Sequence, residues 1–185
     1  MAKVLVPLAE GCEELEAVTV IDLLRRAGVD VVTAGLDEGP VRGSHGTALL
    51  PDSTLEAVLD QQFDMIVLPG GMPGMENLRK DSRLLSLLRR MADEERYTAA
   101  ICAAPVVLAE AGLLEGRKAT AYPGFLEGLE REDVELVPDP VVRDGKVITS
   151  RGPGTAMDFA LELIEVLRDR ETRDRVEAAL QRPSL

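Results

Sequence analysis

Continuously apolar stretches alternate with amphipathic ones along the whole chain. Val4-Leu5-Val6-Pro7-Leu8-Ala9 is apolar throughout, as a strand covered on both faces is. Gly11 turns the chain, and residues 13–27 follow with helical periodicity. Ala17, Val20, Ile21 and Leu24 fall at i, i+3, i+4 and i+7 and form its core face. Glu13 and Glu14 occupy its first turn as solvated caps, where the helix dipole favours negative charge, and Gly28 stops it. Residues 29–34 form a second strand, and residues 37–46 read as irregular, leading into a short hairpin that ends in Ala48-Leu49-Leu50. Asp52 or Ser53 caps a short helix over residues 55–59. Residues 64–69 are the next buried strand and run into Gly70-Gly71-Met72-Pro73-Gly74. Leu84, Leu87, Leu88 and Met91 mark another amphipathic helix, and residues 97–101 another strand.

Residues 103–114 are apolar almost all round, so that helix belongs in the centre of the fold. A strand over residues 118–122 is ended by Pro123-Gly124, and Asp144-Gly145 turns a hairpin over residues 141–148. Thr149-Ser150-Arg151-Gly152-Pro153-Gly154 is a tight loop, after which Thr155 caps a helix with core face Ala160, Leu163, Ile164 and Leu167. A charged helix over residues 172–180 closes the chain. This alternation predicts an α/β protein with a parallel sheet wrapped on both faces. In such sheets the site lies beyond the carboxyl ends of the strands. Three post-strand loops converge there, holding Glu16, Gly70-Gly71 and Cys102.

The sharpest local signal is Ala99-Ala100-Ile101-Cys102-Ala103-Ala104-Pro105. Small apolar residues enter Cys102 as a strand, and a Pro-initiated helix leaves it. Cys102 therefore sits at a strand-to-helix elbow, over the free N–H groups of a helix start, which bias a thiol towards thiolate. The alternative is a buried cysteine acting as a small hydrophobe. Cys12 is flanked by Glu10, Glu13 and Glu14, whose charge disfavours a thiolate, whereas Cys102 has no charged neighbour close in sequence. Cys102 is thus expected to be the more ionised and the more readily oxidised of the two.

Composition narrows the class. The 185 residues suit one domain, 1–185, with 45% hydrophobic residues, 3% aromatic and no Trp, hence an aliphatic core. The net charge of -12 argues against broad binding of nucleic acid or anionic membrane. Two cysteines do not make a disulfide framework. Residues 1–10 hold no long apolar run, so no signal peptide or spanning helix is expected, and the cytoplasm is the expected location.

A cysteine nucleophile needs a base or a charge partner. The one histidine, His45, lies in Gly43-Ser44-His45-Gly46, with no evident link to the elbow. Glu16 is the better candidate, because it borders the core face close to the carboxyl end of the first strand. The Gly71 and Ala103 N–H groups are candidates to face a developing oxyanion together, the alternative for Gly70-Gly71 being a plain turn. No Walker loop or dinucleotide fingerprint is present. Cys12 and Cys102 lack zinc-site spacing, so no metal and no cofactor are expected.

The chain resembles the ThiJ/PfpI superfamily. The likeness rests on Glu10-Gly11-Cys12-Glu13-Glu14-Leu15-Glu16-Ala17-Val18, Leu68-Pro69-Gly70-Gly71, the elbow, and Thr149-Ser150-Arg151-Gly152-Pro153-Gly154-Thr155, in that order. The resemblance implies a flavodoxin-like three-layer sandwich with a mainly parallel sheet, and a homodimer. It implies Cys102 as nucleophile, Glu16 as the carboxyl group hydrogen-bonded to it, and the Gly71 and Ala103 amides around the reacting oxygen. Gly70, Arg151, Gly152 and Pro153 would wall the pocket. Tyr122 stands where some members carry a histidine, and Ala103 stands where the protease-like branch carries one, which argues against peptidase activity. The implied function is a cofactor-free glyoxalase- or deglycase-like enzyme acting on methylglyoxal, glyoxal or glycated protein. The alternative is a redox-sensing or chaperone-like stress protein. For the dimer the residues add one motive: Arg25 and Arg26 close an otherwise apolar first helix.

Overall fold

The computed structural model describes residues 1–129 and 133–183. In chain order the strands are β1 Lys3–Leu8, β2 Asp30–Gly35, β3 Val41–Arg42, β4 Ala48–Leu49, β5 Ser53–Thr54, β6 Met65–Leu68, β7 Tyr97–Ile101, β8 Lys118–Ala119, β9 Glu135–Leu136, β10 Val141–Asp144 and β11 Val147–Ser150. The helices are α1 Glu14–Arg26, α2 Leu55–Val58, α3 Gly74–Lys80, α4 Ser82–Asp93, α5 Pro105–Glu110, α6 Ala156–Leu167 and α7 Arg170–Ala179. Among the described residues no helix is long and apolar enough to cross a membrane.

Seven strands form the central sheet in the order β10-β11-β7-β6-β1-β2-β5. All its pairings are parallel except the β10–β11 hairpin. Strand pleating sends alternate side chains to opposite faces. Val4, Val6, Leu8, Val67, Ala99 and Ile101 join the α1 and α6 side, whose core is closed by Phe159 and Ile164. Leu5, Ile66, Leu68 and Ala100 join the opposite core, with residues of α2, α3, α4 and α5. The result is the α/β sandwich of three layers, helices on sheet on helices.

The order of the inner strands positions the site. β11, β7, β6 and β1 are consecutive neighbours and parallel. Their carboxyl ends deliver Arg151-Gly152-Pro153, Cys102, Gly70-Gly71 and Glu16 to one edge of the sheet.

Several local expectations change. Residues 118–122 do not form a strand of the main sheet. Only Lys118–Ala119 is extended, paired with Glu135–Leu136 in a separate two-stranded sheet, because the β11 edge is already taken by its hairpin partner β10. The helix after the elbow is short, Pro105–Glu110. Thr54 rather than Asp52 or Ser53 caps α2, accepting from the Ala57 N–H at 3.4 Å. Asp52 instead accepts the Thr33 N–H at 3.0 Å and the Arg25 guanidinium at 2.9 Å. Thr155 precedes α6 but bonds the Gly152 N–H rather than the helix. Glu14 is not a solvated cap: it is buried, and its carboxylate accepts the His45 and Thr47 N–H groups.

Candidate active site

Cys102 has φ +64, a left-handed conformation that non-glycine residues rarely adopt. Its N–H still pairs with the Ser150 carbonyl at 3.0 Å, continuing the β7–β11 ladder. One residue later the chain has turned: Ala104 donates to Ile101 O at 3.1 Å, and Pro105 opens α5. The Cys102 carbonyl accepts the Tyr122 N–H at 2.8 Å, which pins the segment after β8 to the elbow. Such strain persists only where the surroundings over-determine it, and it clusters at functional sites.

Glu16 is fully buried at the start of α1. Its Oε2 accepts the Gly70 N–H at 2.9 Å. Its Oε1 is buried and makes no conventional hydrogen bond. Burial raises the Glu16 pKa from 4.5 to about 7, against the lowering effects of the Gly70 N–H and of the Cys102 side chain. Burial likewise pushes the Cys102 thiol up to about 12, reinforced by the Glu16 charge and opposed by the Ala103 and Gly71 N–H groups at the sulfur. The two side chains therefore titrate as a pair, and the two amides that the sequence singles out both act to lower the thiol pKa.

Gly70 and Gly71 make this proximity possible. A Cβ on Gly70 would lie 2.7 Å from the Cys102 Cβ and 3.0 Å from Glu16 Oε2. Gly71 has φ +91, and a Cβ there would collide with the Glu13 backbone nitrogen. The loop can press on both other motifs only without side chains.

A further helix fixes this loop. Met75 donates its N–H to the Gly71 carbonyl at 2.9 Å as α3 begins. Expected pocket residues Tyr122, Arg151, Gly152 and Pro153 line one cleft together with Pro138 and Pro140. Tyr122 is half-exposed there and lies close against Gly152. Arg151 donates to the Pro138 carbonyl at 3.1 Å.

Three matching features now stand together: the strained Cys102, the buried Glu16 beside it, and glycines that leave room for both. The model of the DJ-1/PfpI family matches residues 2–166. This chain belongs to that family. It is 44% identical to protein dj-1beta of Drosophila melanogaster over 168 residues, 90% of each protein. The crystal structure of that fly protein superposes with a TM-score of 0.94 at 42% identity, covering 99% of both chains. The deglycase PH1704 of Pyrococcus horikoshii is 34% identical over 166 residues, covering 90% of this chain and 99% of that protein. Protein DJ-1 homolog A of Arabidopsis thaliana is 44% identical over 179 residues, but this chain spans only 46% of its length.

One expectation holds and another fails at this DJ-1/PfpI site. His45 does not reach the elbow; it sits against Glu13 and Glu14. Nor is Cys102 the more ionised thiol by virtue of its sequence surroundings. Burial raises Cys12 to about 11 and Cys102 to about 12. The fold brings Glu16 to a sulfur that has no charged neighbour along the chain. What distinguishes Cys102 is access, since Cys12 is wholly enclosed and Cys102 is 9% exposed.

Proposed function

We propose that this chain is a cysteine enzyme acting on small 2-oxoaldehydes such as methylglyoxal and glyoxal, or on their protein adducts, with Cys102 as nucleophile and Glu16 as proton carrier. The observation that carries the reading is the pairing of an elbow cysteine with a buried carboxyl group whose pKa is about 7. A group of that pKa both gives and takes protons near neutral pH. The 34% identical relative named a deglycase supports the same class of substrate.

The steps balance as a net addition of water. Proton transfer from sulfur to Glu16 frees the thiolate, which adds to the aldehyde carbon. The carbonyl pair moves to oxygen, where the Gly71 and Ala103 amides stabilise it. Protonation of that oxygen gives a hemithioacetal. Glu16 then takes the proton from the former aldehyde carbon to form an enediol and returns one to the neighbouring carbon, leaving a 2-hydroxyacyl thioester on Cys102. Water hydrolyses it, releasing lactate from methylglyoxal and restoring the thiol.

Steady-state turnover of a panel of 2-oxoaldehydes by the purified protein, with Cys102→Ser as control, tests this. Conversion of methylglyoxal to lactate that disappears in the variant is the expected result. A variant that turns over like wild type removes Cys102 from the chemistry.

A second reading is favoured by one comparison: the 42% identical Toxoplasma gondii DJ-1, TM-score 0.94, is described in an oxidized form. In that reading Cys102 reports peroxide and the protein acts in stress responses, in the cytoplasm. A homodimer is part of both readings. Leu15 and Val18 are exposed on α1, and Leu50 is exposed beside the cleft that Val18, Ile21 and Leu49 line. A second copy laid on α1 would cover this apolar strip. Arg25 and Arg26 do not form it, because they pair with Asp52 and Asp22.

A further inference from the structure

The loop over residues 43–47 folds onto the start of α1. Gly43 donates its N–H to the Thr47 carbonyl at 2.8 Å, and Ser44 donates to the Cys12 carbonyl at 2.8 Å. The loop thereby sets His45 against two carboxylates. His45 Nδ1 lies 3.4 Å from Glu13 Oε2 and 3.6 Å from Glu14 Oε2. Ser44 Oγ lies 3.0 Å from the same nitrogen and 3.2 and 3.3 Å from the two oxygens.

Two features make this more than a group of acids. The Glu13 and Glu14 side chains are only 13% and 11% exposed, yet among the described residues no Lys or Arg reaches salt-bridge distance of either. Their one basic neighbour is His45, itself 72% exposed and open to solvent. Against the cost of burial, the His45 and Thr47 N–H groups and Ser44 hold the Glu14 carboxyl down at about 2, so the pair carries negative charge that no fixed cation balances. The spacing is also telling. A tetrahedral ion with bonds of about 2.0–2.1 Å separates its ligand atoms by about 3.3–3.4 Å. His45 Nδ1 lies at nearly that separation from each of the two carboxylate oxygens, and all three residues bring ligand atoms within 4.8 Å of one another.

We propose that His45, Glu13 and Glu14 bind a divalent transition-metal ion, with zinc the best fit. Nδ1 and the two Oε2 atoms would be ligands, and Ser44 Oγ or water would complete the shell. One imidazole with two carboxylates is a borderline donor set, suited to zinc. It offers too few oxygens for calcium. The site is organised in advance. The other oxygen of Glu14, Oε1, accepts the His45 N–H at 3.0 Å and the Thr47 N–H at 3.2 Å, as supporting bonds orient ligands in metal sites. Gly43 permits the approach, since a Cβ there would lie 2.6 Å from the Glu14 carboxylate. The expectation of no metal rested on cysteine spacing, and none of these ligands is a cysteine.

The test is zinc binding to the full chain in competition with a chromophoric chelator, in wild type, Cys102→Ser, His45→Ala and Glu13→Gln. His45 is exposed on a loop, and circular dichroism checks that each variant is folded. Binding of one equivalent that survives Cys102→Ser and weakens about tenfold or more in His45→Ala and Glu13→Gln is the expected result. Cobalt substituted at the site should show a ligand-field spectrum without a thiolate charge-transfer band. Absence of zinc binding, or binding that is lost in Cys102→Ser and unchanged in His45→Ala, overturns the proposal.

Discussion

Gly70 donates its N–H to Glu16 Oε2 at 2.9 Å, so a backbone group of the loop after β6 fixes the carboxyl group at the start of α1. The same glycine backs onto Cys102, where a Cβ would meet the cysteine Cβ at 2.7 Å. Strand order sets this proximity: β1, β6 and β7 lie side by side, and their ends bring together the Glu16 carboxyl group, its backbone donor and the Cys102 thiol.

Glu16 should govern the pH response. Its pKa is about 7, and the thiol lies near 12, so between these values the pair holds one proton. The single-proton form contains the reactive thiolate as one of its two arrangements. We predict that kcat/KM rises with pH through about 7 and that Glu16→Gln lowers turnover by about 10²–10⁴-fold. A pH–rate profile of both proteins checks this.

The same group makes a stability prediction. Its folded pKa of about 7 is raised above the ordinary 4.5, so the folded state holds a proton that the unfolded state has released. Stability with respect to this group is full below 4.5 and falls as pH rises towards about 7. Denaturant unfolding should show a decline across that window in wild type and a flatter dependence in Glu16→Gln.

Gly70→Ala should damage the site without disturbing distant structure. The added methyl meets Ile101 O at 2.9 Å as well as the Cys102 Cβ, and neither yields easily. Overpacking of this kind costs about 1–3 kcal/mol. Chemical denaturation should report that loss, with turnover reduced more than stability alone explains.

The apolar strip on α1 predicts association. Light scattering at micromolar concentration should give about twice 20.0 kDa, and the double variant Leu15→Glu, Val18→Glu should give the monomer mass. A wild-type monomer contradicts the dimer.

Much of this architecture was readable in the chain. Continuous apolar runs mark buried parallel strands, and Pro105 after small residues marks the elbow, because both signals are local. α3 was not readable. It buries Met75 and Leu78 among polar residues and is too short for its periodicity to register. The strand expected at 118–122 failed for a topological reason, since β10 already covers the β11 edge. At the site, position along the chain singles out Glu16 and the two amides, whereas the thiol pKa is not legible in it. Charge along the sequence said nothing of Glu16 across the fold. The His45 cluster was also invisible, because a loop some thirty residues away delivers it to Glu13 and Glu14.

The most direct test of the central claim is to look for the acyl group itself. Acid-quenched mixing with methylglyoxal, followed by peptide mass spectrometry, should find a 2-hydroxyacyl thioester on the Cys102 peptide. It should be absent in Cys102→Ser and form about 10²-fold or more slowly in Glu16→Gln. Lactate formation without that adduct, or an acyl group carried by Cys12 instead, would contradict the assignment of Cys102 as nucleophile and Glu16 as its proton carrier.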